Sequence, residues 1–401
     1  MSTSLRLLGD PPASVKAVPA FVAKGFRPFF LAAGAFAALI LPVWILALAG
    51  RVRVDGYLDP TYWHAHEMVF GFAVAVIAGF LLTAVGNWTA RETAIGAPLA
   101  ALAALWVLGR VAFAAAAALP KGAVAALDLA FLPALWLTIA RPILATKNAR
   151  NYPVLAMVGM LFLANLATHL DALGVIEGWR RRASLFAVDL VTLLIVFLAA
   201  RIFPMFTRNA TRVESVRNVP ALDWATTISM AALAIADLAL PDRALGPILA
   251  GITAALAIAR SVTWGAQHSL KIPLLWILHV GHGFVIVGLA LRAASALTSA
   301  VPPSSALHAL TAGAIGCTTL GMMARVALGH TGRPLVAPKA ATVAFVLVTL
   351  AALARTFGTM SLAAYKPSLH ASGTLFAAGF AVFAVSYAKV LTRPRVDGKP
   401  G

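Results

Sequence analysis

The sequence predicts an all-α fold, a polytopic membrane bundle of about 12 transmembrane helices. Three observations carry that expectation. Hydrophobic residues make up 61% of the 401 positions and charged residues only 11%, against about 25% charged in soluble domains. Apolar runs of roughly 20 residues, the length that crosses a hydrocarbon core, recur along nearly the whole chain. The basic residues behind the net charge of +18 sit in short clusters between those runs, which is how topology is encoded and not how a nucleic-acid surface is laid out. Cys317 is the single cysteine, so no disulfide within the chain is expected. Residues 1–20 carry Arg6 and Lys16 but no apolar core, and no cleavable signal peptide is expected.

The expected spans, in order, are 27–49, 64–86, 98–118, 121–144, 152–172, 182–203, 222–241, 244–264, 273–292, 305–329, 338–357 and 368–391. Pro28, Pro98, Pro153, Pro273 and Pro338 open spans, where a missing N–H costs nothing, and Pro42 and Pro133 should kink theirs. The chain therefore divides into an N-terminal segment (1–26), a transmembrane domain (27–391) and a C-terminal tail (392–401). Lys and Arg concentrate in alternate loops and at both ends, so the positive-inside rule puts both termini in the cytoplasm. The Arg180-Arg181-Arg182 run, on the outer side, argues the other way.

The chain is organised around Tyr62-Trp63-His64-Ala65-His66-Glu67-Met68, at the outer mouth of the second span. Ionisable groups at such depth are functional candidates. His64 and His66 are about 200° apart on a helix, so a shared metal requires an extended segment and a helix gives each its own site. The tenth span repeats the second. His66 precedes Gly71 and Gly79 at the same spacing as His308 precedes Gly313 and Gly321. Both spans run inward, so His66 and His308 reach similar depth and are expected to be the two axial ligands of a haem b in the outer half of the membrane. The glycines are read as close helix packing. Rotation then leaves His64 for a second metal, or for a partner such as Asp189 or His169.

His279 and His282 share a face, and either can ligate. His169 is a metal candidate that can equally be a packing histidine, and His330 beside Arg333 can shape a turn or bind a haem propionate. Arg110 is the expected partner of Asp128 or of Asp189, as an ion pair or a proton route that also includes Glu67. No Walker A loop, Cys-x-x-Cys-His, Ser-x-x-Lys or His-Glu-x-x-His occurs, so nucleotide-driven pumping and hydrolysis are unsupported.

Phe26-Arg27-Pro28-Phe29-Phe30, Trp63-His64-Ala65-His66-Glu67-Met68, Gly79-Phe80-Leu81-Leu82-Thr83-Ala84-Val85, Phe206-Thr207-Arg208-Asn209, Leu307-His308-Ala309-Leu310-Thr311 and Gly329-His330-Thr331-Gly332-Arg333-Pro334 resemble the NnrS family, from about residue 20 to the end. The resemblance implies a haem- and copper-containing protein of the bacterial inner membrane, tied to nitric oxide metabolism and nitrosative stress, with an unidentified electron donor. His282 departs from the pattern, since an aromatic residue is usual after the Leu278-His279-Val280-Gly281 phrase. Two rivals stand beside a nitric oxide-related oxidoreductase. One is a transporter or haem or metal carrier coupled through Asp128, Asp189 and Arg110. The other is a haem-based sensor without turnover.

Overall fold

A computed structural model describes residues 18–54, 56–241 and 243–399. Twelve helices are long and apolar enough to cross a bilayer. They are α1 (Phe26–Leu48), α2 (Pro60–Thr89), α3 (Ala97–Ala114), α4 (Lys121–Ala145), α5 (Ala149–Ala172), α6 (Trp179–Thr211), α7 (Pro220–Ala239), α8 (Leu245–Trp264), α9 (Pro273–Ser295), α10 (Pro303–His330), α11 (Lys339–Met360) and α12 (Tyr365–Thr392). No strand occurs among the described residues. In lipid each backbone N–H and C=O must be satisfied within its own segment, and a helix does this.

Burial ranks the helices. Along their apolar stretches α2, α6 and α10 are 78%, 83% and 72% buried, while α3, α7 and α8 are only 33% buried. Three central helices are thus wrapped by the other nine. The glycines of the two similar spans serve this packing. A side chain on Gly71 or Gly79 would strike Phe36, Phe29 or Phe30 of α1, and one on Gly313 or Gly321 would strike Phe284, Ile277 or Leu278 of α9. So α2 lies close on α1 as α10 lies close on α9. The likeness goes further than the glycines. Glu67–Ala73 in α2 and Ala309–Ile315 in α10 are both π-helical, and each begins immediately after the matching histidine.

Proline sets the shape of α4. The helical hydrogen-bond pattern is interrupted at Ala130, whose backbone stays α-helical (φ −65°, ψ −28°), three residues before Pro133, because the pyrrolidine ring lacks an N–H and crowds the carbonyl four residues back. Asp128 sits at this break, directly against Gly109 of α3, where a Cβ would come 3.0 Å from its carboxylate. Two other prolines leave their helices continuous. α1 runs through Pro42, and α6 continues past Pro204 to Thr211, beyond its expected end at 203. The start of α1 and the end of α12 meet at one end of the bundle, where Arg27 Nη1 donates to the carbonyls of Leu391 (3.2 Å) and Arg393 (2.7 Å). The opposite, far end holds His64 and His308.

Candidate metal centre and the histidine cavity

Four helices and one loop deliver a buried polar cluster near the far end. α2 supplies His66 and Glu67, α3 Arg110, and α4 Asp128 at its break. α5 supplies Asn165 and His169, one turn apart on one face. Tyr57 enters from the loop before α2. All but Arg110 are less than a tenth exposed as whole residues, and the Arg110 side chain is 9% exposed. Arg110 forks, with Nη1 donating to Glu67 and Nη2 to Asp128. The other Asp128 oxygen, Oδ2, accepts from Asn165 Nδ2 at 2.7 Å and lies 3.0 Å from His169 Nε2 and 3.4 Å from His66 Nε2. His66 Nδ1 is 3.1 Å from Glu67 Oε1, and its Nε2 is also 3.0 Å from Asn165 Oδ1. His169 Nδ1 is 2.7 Å from the Tyr57 hydroxyl. Burial, with the Asp128 charge behind it, pushes that hydroxyl above the ordinary tyrosine range and keeps it protonated. The His66 ring stacks 4.2 Å from Phe113, which closes the cluster from the side.

This donor set fits a metal ion. His66 Nε2, His169 Nε2 and Asp128 Oδ2 lie within 4.8 Å of one another. Ligands about 2.0–2.1 Å from a tetrahedral ion stand about 3.3 Å apart, close to the distances found. Each histidine keeps its other nitrogen against an oxygen, Glu67 for one and Tyr57 for the other, which is the usual support for a ligating imidazole. Two carboxylates share a single guanidinium here, so the cluster favours an added cation.

His64 faces elsewhere. Two residues from His66 along the helix, it turns into a cavity of ≈ 190 Å³ lined by α1, α2, α6, α10, α11 and α12. Its ring stacks on Trp44 at 4.5 Å and 5°, and its buried Nδ1 has no hydrogen-bond partner. His308 lines the same cavity, with Nδ1 2.7 Å from the Ser304 carbonyl, so its Nε2 is the nitrogen left for a ligand. Arg355, also on the wall, has a buried Nη1 without a partner. The donors therefore suit haem iron, with two imidazoles and a cation for a carboxylate. The volume lies below the ≈ 300–1,000 Å³ usual for small-molecule sites, so a macrocycle would have to displace lining side chains.

The structure thus separates His66 and His308, the expected axial pair. His308 shares its cavity with His64, and His66 joins His169. The reason is rotational. At 100° per residue His64 lies over Met68, another cavity residue, while His66 lies over Phe70, which it touches at 5.0 Å. Asp189 is not a partner of Arg110 or of His64. Arg292 of α9 bridges it at 3.1 Å and also donates to Asp237 of α7. His279 Nε2 bonds Thr207 Oγ1 at 2.9 Å, and His282 lies beside Trp264 at 4.6 Å, both remote from the cluster. His330 ends α10 at the terminal end, with Arg333 three residues beyond, and the His330 carbonyl accepts from Arg395. Asn165, Tyr57, Arg292 and Arg355 were not singled out in the sequence. Asn165 had a signal, being one turn before His169 in an apolar span.

The fold and site define a multi-pass membrane helix bundle with a buried His-Asp-His group able to hold a metal. The sequence of the NnrS protein family matches residues 20–395, and the chain belongs to that family. None of the curated proteins compared with it matches.

Proposed function

We propose that the protein is a haem- and copper-dependent membrane protein acting on nitric oxide or a related small uncharged molecule, in nitric oxide metabolism or protection from nitrosative stress, in the bacterial inner membrane with both termini cytoplasmic. Copper is assigned to His66, Asp128 and His169, and haem iron to His64 and His308. The observation that carries this reading is that one turn of α2 sends two histidines into two different donor sets side by side. Family membership supports the metals, since imidazole binds both. When bound, the metals supply a place to hold a diatomic and exchange electrons with it. The chain's own residues do the rest. Glu67 and Tyr57 orient the ligating imidazoles, Arg110 balances Glu67 and Asp128, and Phe113 and Trp44 keep water from the rings. A diatomic needs no large polar pocket beside the metals.

The test is an optical and metal analysis of purified variants. His64→Ala and His308→Ala should each abolish a low-spin haem spectrum and leave copper bound. His66→Ala and His169→Ala should lose copper and keep the haem. A six-coordinate haem surviving His64→Ala but lost in His66→Ala would return the axial pair to His66 and His308. Consumption of nitric oxide with a supplied reductant separates an oxidoreductase from a sensor that binds without turnover. Protein lacking both metals after metal-replete expression would favour a carrier.

A further inference from the structure

At the terminal end of the bundle, away from both histidine sites, α2, α6 and α10 enclose a cleft of ≈ 480 Å³ together with residues 148–151. This is within the usual range for a small-molecule site. Its charged lining is entirely cationic. Arg150 and Arg201 stand on its wall with His330, and no carboxylate is among the lining residues. Arg201 is held in place, with Nη1 donating to Asn151 Oδ1 and Nη2 to the Arg150 carbonyl, both at 2.9 Å, and its guanidinium lies 4.1 Å from the centre of the Phe197 ring. Arg150 is exposed at the mouth.

The cleft does not end at its polar mouth. Phe80, Leu198, Ile202 and Met322 line it and also line a deeper space of ≈ 70 Å³ between the same three helices. Beyond them the deeper walls are uncharged and mostly apolar, with Val191, Leu194 and Ile195 of α6 facing Phe30 and, on α10, Thr318 and Thr319. A free anion would use only the mouth and a hydrocarbon only the slot. A molecule with an acidic head and an apolar chain uses both.

We propose that this cleft binds an anionic phospholipid, with its phosphate against Arg150 and Arg201 and one acyl chain running along the cleft so that a short stretch of it reaches the slot between Ile195 and Met322. Basic pockets between transmembrane helices take such head groups, each basic residue adding to the attraction. The site is independent of the metals, and its test does not involve them.

The experiment is native mass spectrometry of the full-length protein exchanged into phosphatidylglycerol or phosphatidylcholine of equal chain length. The expected result is one retained phosphatidylglycerol per chain, preferred by roughly 10-fold. Arg150→Gln should bring that preference close to unity without moving the unfolding midpoint, since the side chain is exposed. Arg201→Lys, which keeps the charge, should retain most of it. Ile195→Trp, filling the slot, should weaken retention of long-chain phosphatidylglycerol and spare its dihexanoyl analogue. Equal retention of the two lipids, a preference unchanged in Arg150→Gln, or displacement by millimolar inorganic phosphate would overturn the proposal. So would retention of a neutral quinone in place of the lipid.

Discussion

At the scale of single residues, Arg110 and Tyr57 carry different weights. Arg110 is the one cation between two buried carboxylates, Glu67 and Asp128. Removing a partner from a buried ion pair leaves charge uncompensated at a cost of about 3–5 kcal/mol. Arg110→Ala should therefore destabilise the protein by about that much in thermal or chemical unfolding in detergent. A midpoint unchanged from the parent would show that the cluster does not depend on this cation. Tyr57 makes no ion pair, but it orients His169 through Nδ1. Tyr57→Phe should leave folding intact and weaken metal retention by about 10–100-fold, the usual effect of losing a group behind a ligand. Titration with a competing chelator reads this directly. Equal retention would remove Tyr57 from the site. His64, by contrast, has an unpartnered Nδ1 and a stacked Trp44, so its substitution should change the cavity's ligand and little else.

Helices position these residues, and one proline and one glycine matter most. Pro133 sets the lapse at Ala130, which leaves Asp128 facing α2 and α5. Pro133→Ala restores the missing N–H and should close the gap in the hydrogen bonding of α4 and shift Asp128, with metal stoichiometry falling and helix content unchanged by circular dichroism. Full stoichiometry in that variant would mean that packing against Gly109 alone fixes Asp128. Gly281 of α9 lies on Thr318 of α10 so closely that an added Cβ would meet both its hydroxyl and its backbone. Overpacking of this kind costs about 1–3 kcal/mol, so Gly281→Ala should lower the unfolding midpoint while Gly283→Ala, which meets nothing within 4 Å, should not.

For the molecule as a whole, twelve spans with the start of α1 and the end of α12 at one end require that successive loops alternate sides. Reporter fusions after Lys121 and after Lys147 should report opposite compartments, and agreement between them would refute the topology. Much of this was legible in the sequence. Apolar length and loop charge gave the number of helices, because lipid removes almost every alternative to a helix. The far-end position of His64, His66, His169 and His308 followed from counting spans. Pairing was another matter. The spacing of Gly71 and Gly79 matched that of Gly313 and Gly321, and this aligned His66 with His308, yet those glycines report how each helix meets its neighbour, α1 or α9, and not what the two histidines face. The Asp189 partner was missed for a similar reason. Arg292 ends a span far along the chain, and no local pattern ties it to Asp189 or Asp237. Depth along the membrane normal can be counted in residues, whereas contacts across the bundle depend on helix rotation.

The π-helical turns give that last point an evolutionary edge. A π turn carries about one residue more than the α turn it interrupts. The wide turn absorbs that residue, so deleting one within 67–73 would relax α2 to regular α geometry and leave the segments on either side close to their present phase. His64 and His66 would keep their present directions, and the change would fall on the side chains of the turn itself, Glu67 to Ala73. In relatives of this chain, a one-residue gap within this seven-residue segment would then mark the loss of a wide turn and not a change in what the two histidines face.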